Sequence, residues 1–98
     1  MTAPVPSDDE IVTALRDIMA AVLSDEDLAR TDLAGVTAET PLLSLPLDSV
    51  TLMAVIAEIE ERFRVYIPEH RAFAFTRVGE LVEYVGERAR AKAGRAAR

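Results

Sequence analysis

Apolar side chains recur at Ile11, Leu15, Ile18, Met19 and Val22. Steps of three and four predict an amphipathic helix with one buried stripe. Ser7-Asp8-Asp9-Glu10 sits in front of it with the Ser-x-x-Glu spacing of a capping box, and acids in the first turn suit the helix dipole. The pattern breaks at Ser24-Asp25. From Asp25 to Leu47 there is no sustained period, and Gly35, Pro41 and Pro46 interrupt the chain. This stretch reads as a long loop with a short helical turn near Asp25–Thr31, pinned to the core by Leu28, Leu33, Val36, Leu42, Leu43 and Leu45. The clearest period follows. Leu52, Val55, Ile56, Ile59 and Phe63 predict a helix that opens at Asp48-Ser49 and ends near Arg64, because Val65-Tyr66-Ile67-Pro68 reads as extended. A short helical turn after Pro68 is expected to point Phe73 and Phe75 inward. Thr76 is a suitable N-cap for a last helix with Val78, Leu81, Val82 and Val85 on its inner face.

No segment alternates as a strand does. The fold class expected is therefore all-α, a small three-to-four-helix bundle with a long loop between the first and second main helices. Residues 1–6, with two prolines, read as a flexible lead-in, residues 7–87 as the folded domain, and residues 88–98 as a basic tail. That tail is rich in Ala and Arg. It is expected to prolong the last helix in part and otherwise to be disordered, having only Ala to bury.

Composition narrows the function classes. Ninety-eight residues make one domain with a modest core and no room for a deep enclosed active site. Without Cys there is no disulfide framework and no thiolate metal site. No apolar run is long enough to span a bilayer, and the N-terminus lacks the features of a signal peptide, so the cytoplasm is the default expectation. Net charge is −6, but Arg88, Arg90, Lys92, Arg95 and Arg98 supply five of the eleven bases. The first 87 residues hold the other six against all seventeen acids, a net of −11. Such a body repels nucleic acid and suits partners with basic docking surfaces.

Taken alone, Asp48-Ser49 is most simply a helix cap. Its surroundings point further. Leu45-Pro46-Leu47-Asp48-Ser49-Val50 resembles the Leu-Gly-x-Asp-Ser-Leu attachment motif of acyl carrier proteins. Thr51 to Phe63, with its Glu60-Glu61-Arg62-Phe63 ending, is similar to that family's second helix. Val65-Tyr66-Ile67-Pro68 resembles its apolar-x-Ile-Pro segment, and Phe75 to Val85 resembles its last helix. The resemblance covers residues 7 to 87. It implies that a phosphopantetheinyl transferase attaches 4′-phosphopantetheine from coenzyme A to Ser49, and that the arm holds acyl groups as thioesters. A helix N-terminus favours the attached phosphodiester.

A serine hydroxyl needs an adjacent base to act as a nucleophile, and the one histidine, His70, has no Ser-His-acid constellation around it. The chain is therefore expected to be no enzyme, with no catalytic residue and no metal. Ser49 is the substrate of other proteins. The resemblance also gives Asp48 a docking role beside its cap. It implies partner contact for Val50, Met53 and Ala57, which fall off the core stripe, and for Glu58 and Glu61, which also read as plain solvated charges.

The resemblance has two departures. Pro46 stands where the family usually has Gly, which stiffens the approach to the site. Thr51 and Ala54 occupy positions that are often acidic in general fatty-acid carriers. These point to a narrower carrier that serves acyl-loading, ketosynthase-type and other acyl-processing enzymes of polyketide or related secondary metabolism. The carrier is also expected to be free-standing and monomeric. An aminoacyl or peptidyl carrier and a general fatty-acid carrier remain open, although peptidyl carriers more often have His before the serine. An unmodified helical interaction module is the reading from another class.

Overall fold

The computed structural model describes residues 5–96. Among the described residues, five α-helices form in chain order: α1 Asp8–Val22, α2 Asp25–Ala29, α3 Ser49–Phe63, α4 Glu69–Ala72 and α5 Val78–Ala96. Two 3₁₀ turns, Leu33–Gly35 and Leu42–Ser44, punctuate the long loop. Among the described residues the sole β-type pairing is an isolated antiparallel bridge between Pro41 and Arg77. The all-α bundle expected from the periodicity is the fold observed.

Local caps open the first two helices. Ser7 caps α1, accepting from the Glu10 N–H at 3.1 Å while the Glu10 carboxylate accepts from the Ser7 N–H at 3.1 Å. Ser24 caps α2 by a single bond, accepting from the Asp27 N–H at 3.2 Å. Helix α1 packs against both α3 and α5, and α4 packs against α3. The centre of the bundle is Ile11, Leu15 and Met19 of α1, Val55, Ile56 and Ile59 of α3, Val78, Leu81 and Val85 of α5, and Ile67 and Val36 from the connections. Val12 and Ala14 of α1 are buried as well, so its inner face is broader than the predicted stripe.

Polar contacts tie the connections to this core. The Arg16 Nε–H and Nη2–H both donate to the Val36 carbonyl, at 3.1 and 2.6 Å, and pin the middle of the long loop to α1. The Glu60 carboxylate accepts from the Ile67 N–H at 2.8 Å, so one acid of the Glu60-Glu61 pair faces the fold and seats the extended segment after α3.

Four expectations are corrected. Leu43 is 99 % exposed and pins nothing. In a 3₁₀ turn of three residues per turn, Leu42 and Leu45 share one side and are buried, which sends Leu43 outward. Phe73 ends α4 half in solvent, and Ala72 takes the inward place; Phe75 packs partly, its ring 5.8 Å from that of Tyr84. Thr76 does not cap α5 as an acceptor. It donates its N–H and hydroxyl to the Glu80 carboxylate, which also accepts from the Arg77 N–H at 3.1 Å. The next two N–H groups go to the loop instead, Val78 to the Thr40 carbonyl at 2.9 Å and Gly79 to the Ala38 carbonyl at 2.7 Å. Finally, the expected disorder after Glu87 gives way to unbroken helix up to Ala96. Ala89 and Ala93 continue the inner stripe of α5 and are buried, lining a groove with Val5, Pro6 and Phe63. The lead-in and tail expectations for residues 1–4 and 97–98 lie outside the described residues.

Candidate functional site

The approach to α3 is set by Pro46. The Leu47 N–H donates to the Leu45 carbonyl at 2.8 Å, closing a three-residue turn centred on the proline. An inverse γ-turn needs φ close to −75°, near the value to which the pyrrolidine ring is locked. The residue that departs from the family pattern is thus well suited to this turn. Leu45 is buried and Leu47 half-buried, which anchors the segment directly before the site.

Asp48 then caps α3. Its Oδ1 accepts from the Thr51 N–H at 2.7 Å, and its carbonyl accepts from the Leu52 N–H at 2.8 Å. The bond from the Thr51 N–H, helped by the Thr51 side chain and the Val50 N–H, holds the Asp48 carboxyl below its ordinary value. It is a carboxylate at neutral pH, on the surface, beside Ser49. The first turn of α3 carries no acid of its own. Ser49 is the first helical residue and is exposed, so its hydroxyl stands in solvent at the positive end of a 15-residue helix.

These features fit a phosphopantetheine group. A phosphodiester on the Ser49 oxygen would lie at the helix N-terminus, where unpaired N–H groups and the dipole favour an anion. The Asp48 carboxylate, engaged with Thr51, stays on the same surface as a separate negative charge. His70 is exposed on α4. No group of His, Asp or Glu among the described residues is arranged to hold a metal ion.

The candidate docking residues fall mostly on one outer face. Val50 is 79 % exposed, and Ala57, Glu58 and Glu61 follow it at helical spacing, all exposed and opposite Val55, Ile56 and Ile59. Met53 departs from the expectation. It leans on the core and is half-buried, which leaves part of its side chain at the surface. Leu43 is the exposed residue that periodicity missed. The signal was present in the run Pro41-Leu42-Leu43-Ser44-Leu45, since three leucines in four positions cannot all face one way.

Comparison with known proteins gives this geometry a family. A family profile described as the phosphopantetheine attachment site matches residues 13–85. The chain belongs to that family. It is an acyl carrier protein by kind, and its cofactor class is phosphopantetheine. Such a chain is a carrier and not an enzyme. No curated protein matches it in sequence. Among solved structures it is similar to the acyl carrier protein of the actinorhodin polyketide synthase of Streptomyces coelicolor, determined in solution with different cargoes. The hexanoyl form is 25 % identical, with a TM-score of 0.70 over 91 % of this chain and 96 % of that one. The 3-oxo-butyl form is 25 % identical, with a TM-score of 0.68 over 95 % of this chain and all of the other. The 3,5-dioxohexyl form, a triketide mimic, is 26 % identical, with a TM-score of 0.66 over the same shares.

Proposed function

We propose that this acyl carrier protein bears its 4′-phosphopantetheine arm on Ser49 and carries the growing acyl chain of a polyketide or related secondary-metabolite pathway. The observation that carries the reading is an exposed serine at the N-terminus of α3, capped by Asp48, within the span that matches the attachment-site family. The arm supplies a terminal thiol on which acyl groups are held as thioesters. Everything the chain itself contributes is positional. The γ-turn at Pro46 fixes the entry, Asp48 fixes the helix start, and the dipole of α3 receives the phosphodiester. Ser49 has no base of its own, so the transferase removes its proton.

The polyketide assignment is supported by the structural neighbours and by the acid-free first turn of α3, which makes the negative charge nearest Ser49 come from Asp48 alone. Partner enzymes with basic surfaces would meet Asp48, Glu58 and Glu61, while the apolar contacts come from Val50, Ala57 and the outer part of Met53. The carrier unit spans residues 7–87 and acts as a cytoplasmic monomer, engaging neither nucleic acid nor membrane. No helix among the described residues is long and apolar enough to cross a membrane.

The test is incubation with coenzyme A and a broad-specificity phosphopantetheinyl transferase, followed by intact mass measurement. The wild type should gain one phosphopantetheine and Ser49→Ala none. An undiminished gain on Ser49→Ala sinks the assignment. Loading assays with malonyl, fatty-acyl and aminoacyl donors then separate the cargo classes.

A further inference from the structure

The end of the bundle away from Ser49 carries charge of the opposite sign. Arg64 closes α3, and Arg88, Lys92 and Arg95 follow at steps of four and three on one face of α5. These cations line a single open concavity with Val65 and Tyr66, and no acid lines it. Tyr66 is 72 % exposed there. At 1.5 Å rise per residue, the length of α3 separates this end from Ser49 by roughly 22 Å.

Helix electrostatics explain part of the cluster. A cation in the last turn offsets the dipole of α5, which covers Arg95. Lys92 has a structural duty, since its Nζ donates to the Arg64 carbonyl at 3.1 Å. Arg88 has neither reason. It lies two turns before the end of α5, beyond the reach of the dipole, and it repels Lys92 at i, i+4. Arg64 is the more telling residue. Its φ of 55° and ψ of 45° lie in the left-handed region, where glycine is the usual helix terminator and a side chain is strained. Among the described residues it is the one non-glycine held there. The ion pairs of the described residues, Arg30–Glu26 and Arg77–Glu39, do not neutralise the cluster.

We propose that this concavity is a second docking surface, which takes an acidic segment of a partner protein whose Asp or Glu side chains meet the Arg64, Arg88 and Arg95 guanidinium groups while an apolar neighbour packs on Tyr66. Arg and Tyr are the residue types that anchor protein interfaces, and the charge is complementary to such a segment. A nucleic acid fits less well, because its phosphates would face the net −11 of residues 1–87. A lipid surface would attract these cations by charge alone, because the apolar residues of this part of α5, Ala89 and Ala93, are buried and leave no face to insert. A second copy of the chain would have to overcome the repulsion of two negatively charged bodies. The surface is distant enough from Ser49 for both ends to be engaged at once, and it does not depend on the arm.

The test uses the full unmodified chain and a fluorescent peptide alternating Glu and Phe, with a Gln-for-Glu peptide as control. Amide NMR shifts on titration should map to Arg64, Tyr66, Arg88, Lys92 and Arg95. Arg88→Glu combined with Arg95→Glu should weaken binding at least about tenfold, and Arg30→Glu combined with Arg77→Glu, the same change of charge elsewhere, by no more than about twofold. Circular dichroism before titration ensures that both double variants are folded. Equal loss in both variants, shifts centred elsewhere, or a Gln peptide that binds as well overturns the proposal. So does tighter binding of phosphatidylserine vesicles or of a single-stranded oligonucleotide than of the Glu peptide.

Discussion

Replacing Arg16 by Met should loosen the long loop without touching the core. The Met side chain keeps the helix propensity and most of the apolar stem but has no donor. The Arg16 guanidinium makes two hydrogen bonds to the Val36 carbonyl, at 3.1 and 2.6 Å, and Val36 itself is buried. Hydrogen bonds from a charged donor contribute about 1.5–3 kcal/mol, and an orphaned buried acceptor costs about 1–3 kcal/mol. Arg16 is half-buried, so water recovers part of this, and the expected loss is about 1–2 kcal/mol. For a chain of this size each kcal/mol lowers Tm by about 4–8 °C. Urea unfolding followed by circular dichroism measures the first quantity and a thermal scan the second. Arg16→Lys, which can keep one bond, should fall between wild type and Met. Amide exchange should rise around residues 33–40 more than in α1. A loss below about 0.5 kcal/mol, the usual range for a neutral surface change, would refute the claim that this contact holds the loop.

Other outcomes follow from other contacts. Gly79→Ala should destabilise the protein although Ala is the better helix former, because a Cβ there would lie 2.9 Å from the Ala38 carbonyl oxygen and 3.3 Å from the Ala38 Cβ; a stabilised variant in urea titrations would contradict the close approach of loop and α5. Leu42→Ala should cost about 2–4 kcal/mol and Leu43→Ser less than about 0.5 kcal/mol, which chemical denaturation distinguishes directly. The Asp48 and Glu80 carboxyls are both held below their ordinary values, Asp48 chiefly by the Thr51 N–H and Glu80 chiefly by the Thr76 hydroxyl. Their contribution is therefore complete at neutral pH and is lost as pH falls through the lowered values. Urea midpoints between pH 7 and pH 2.5 should show this decline, and Asp48→Asn combined with Glu80→Gln should flatten it; an unchanged acid slope contradicts the cap assignments.

The long helices were legible because burial alone dictates their period. Ile11, Leu15, Val55, Ile56, Ile59, Leu81 and Val85 all face inward as their spacing requires. The site was legible for a different reason. Asp48 and Ser49 combine a local capping rule with a family motif, and both act within a few residues of chain. What escaped depends on contacts between distant segments. The α5 N-terminus is capped by loop carbonyls of Ala38 and Thr40, nearly forty residues earlier, and no local pattern encodes that pairing. Glu60 reads as a surface acid until the chain folds back and brings the Ile67 N–H to it. Leu43 lies in a segment with no period, where the 3₁₀ turn and not hydrophobicity decides which leucine faces out. At the end of α5 the apolar stripe is carried by two alanines, Ala89 and Ala93, a weak signal in sequence. Both are nonetheless buried on the inner face of the helix.

The central claim is that Ser49 is the attachment point of the arm. Its most direct test is the intact mass of the protein purified from its native host, followed by fragmentation of the peptide that contains residues 45–62. The account predicts a phosphopantetheine, with or without an acyl group, located on Ser49. A chain that is active in its pathway yet carries no modification there, or carries it on another residue, would contradict it.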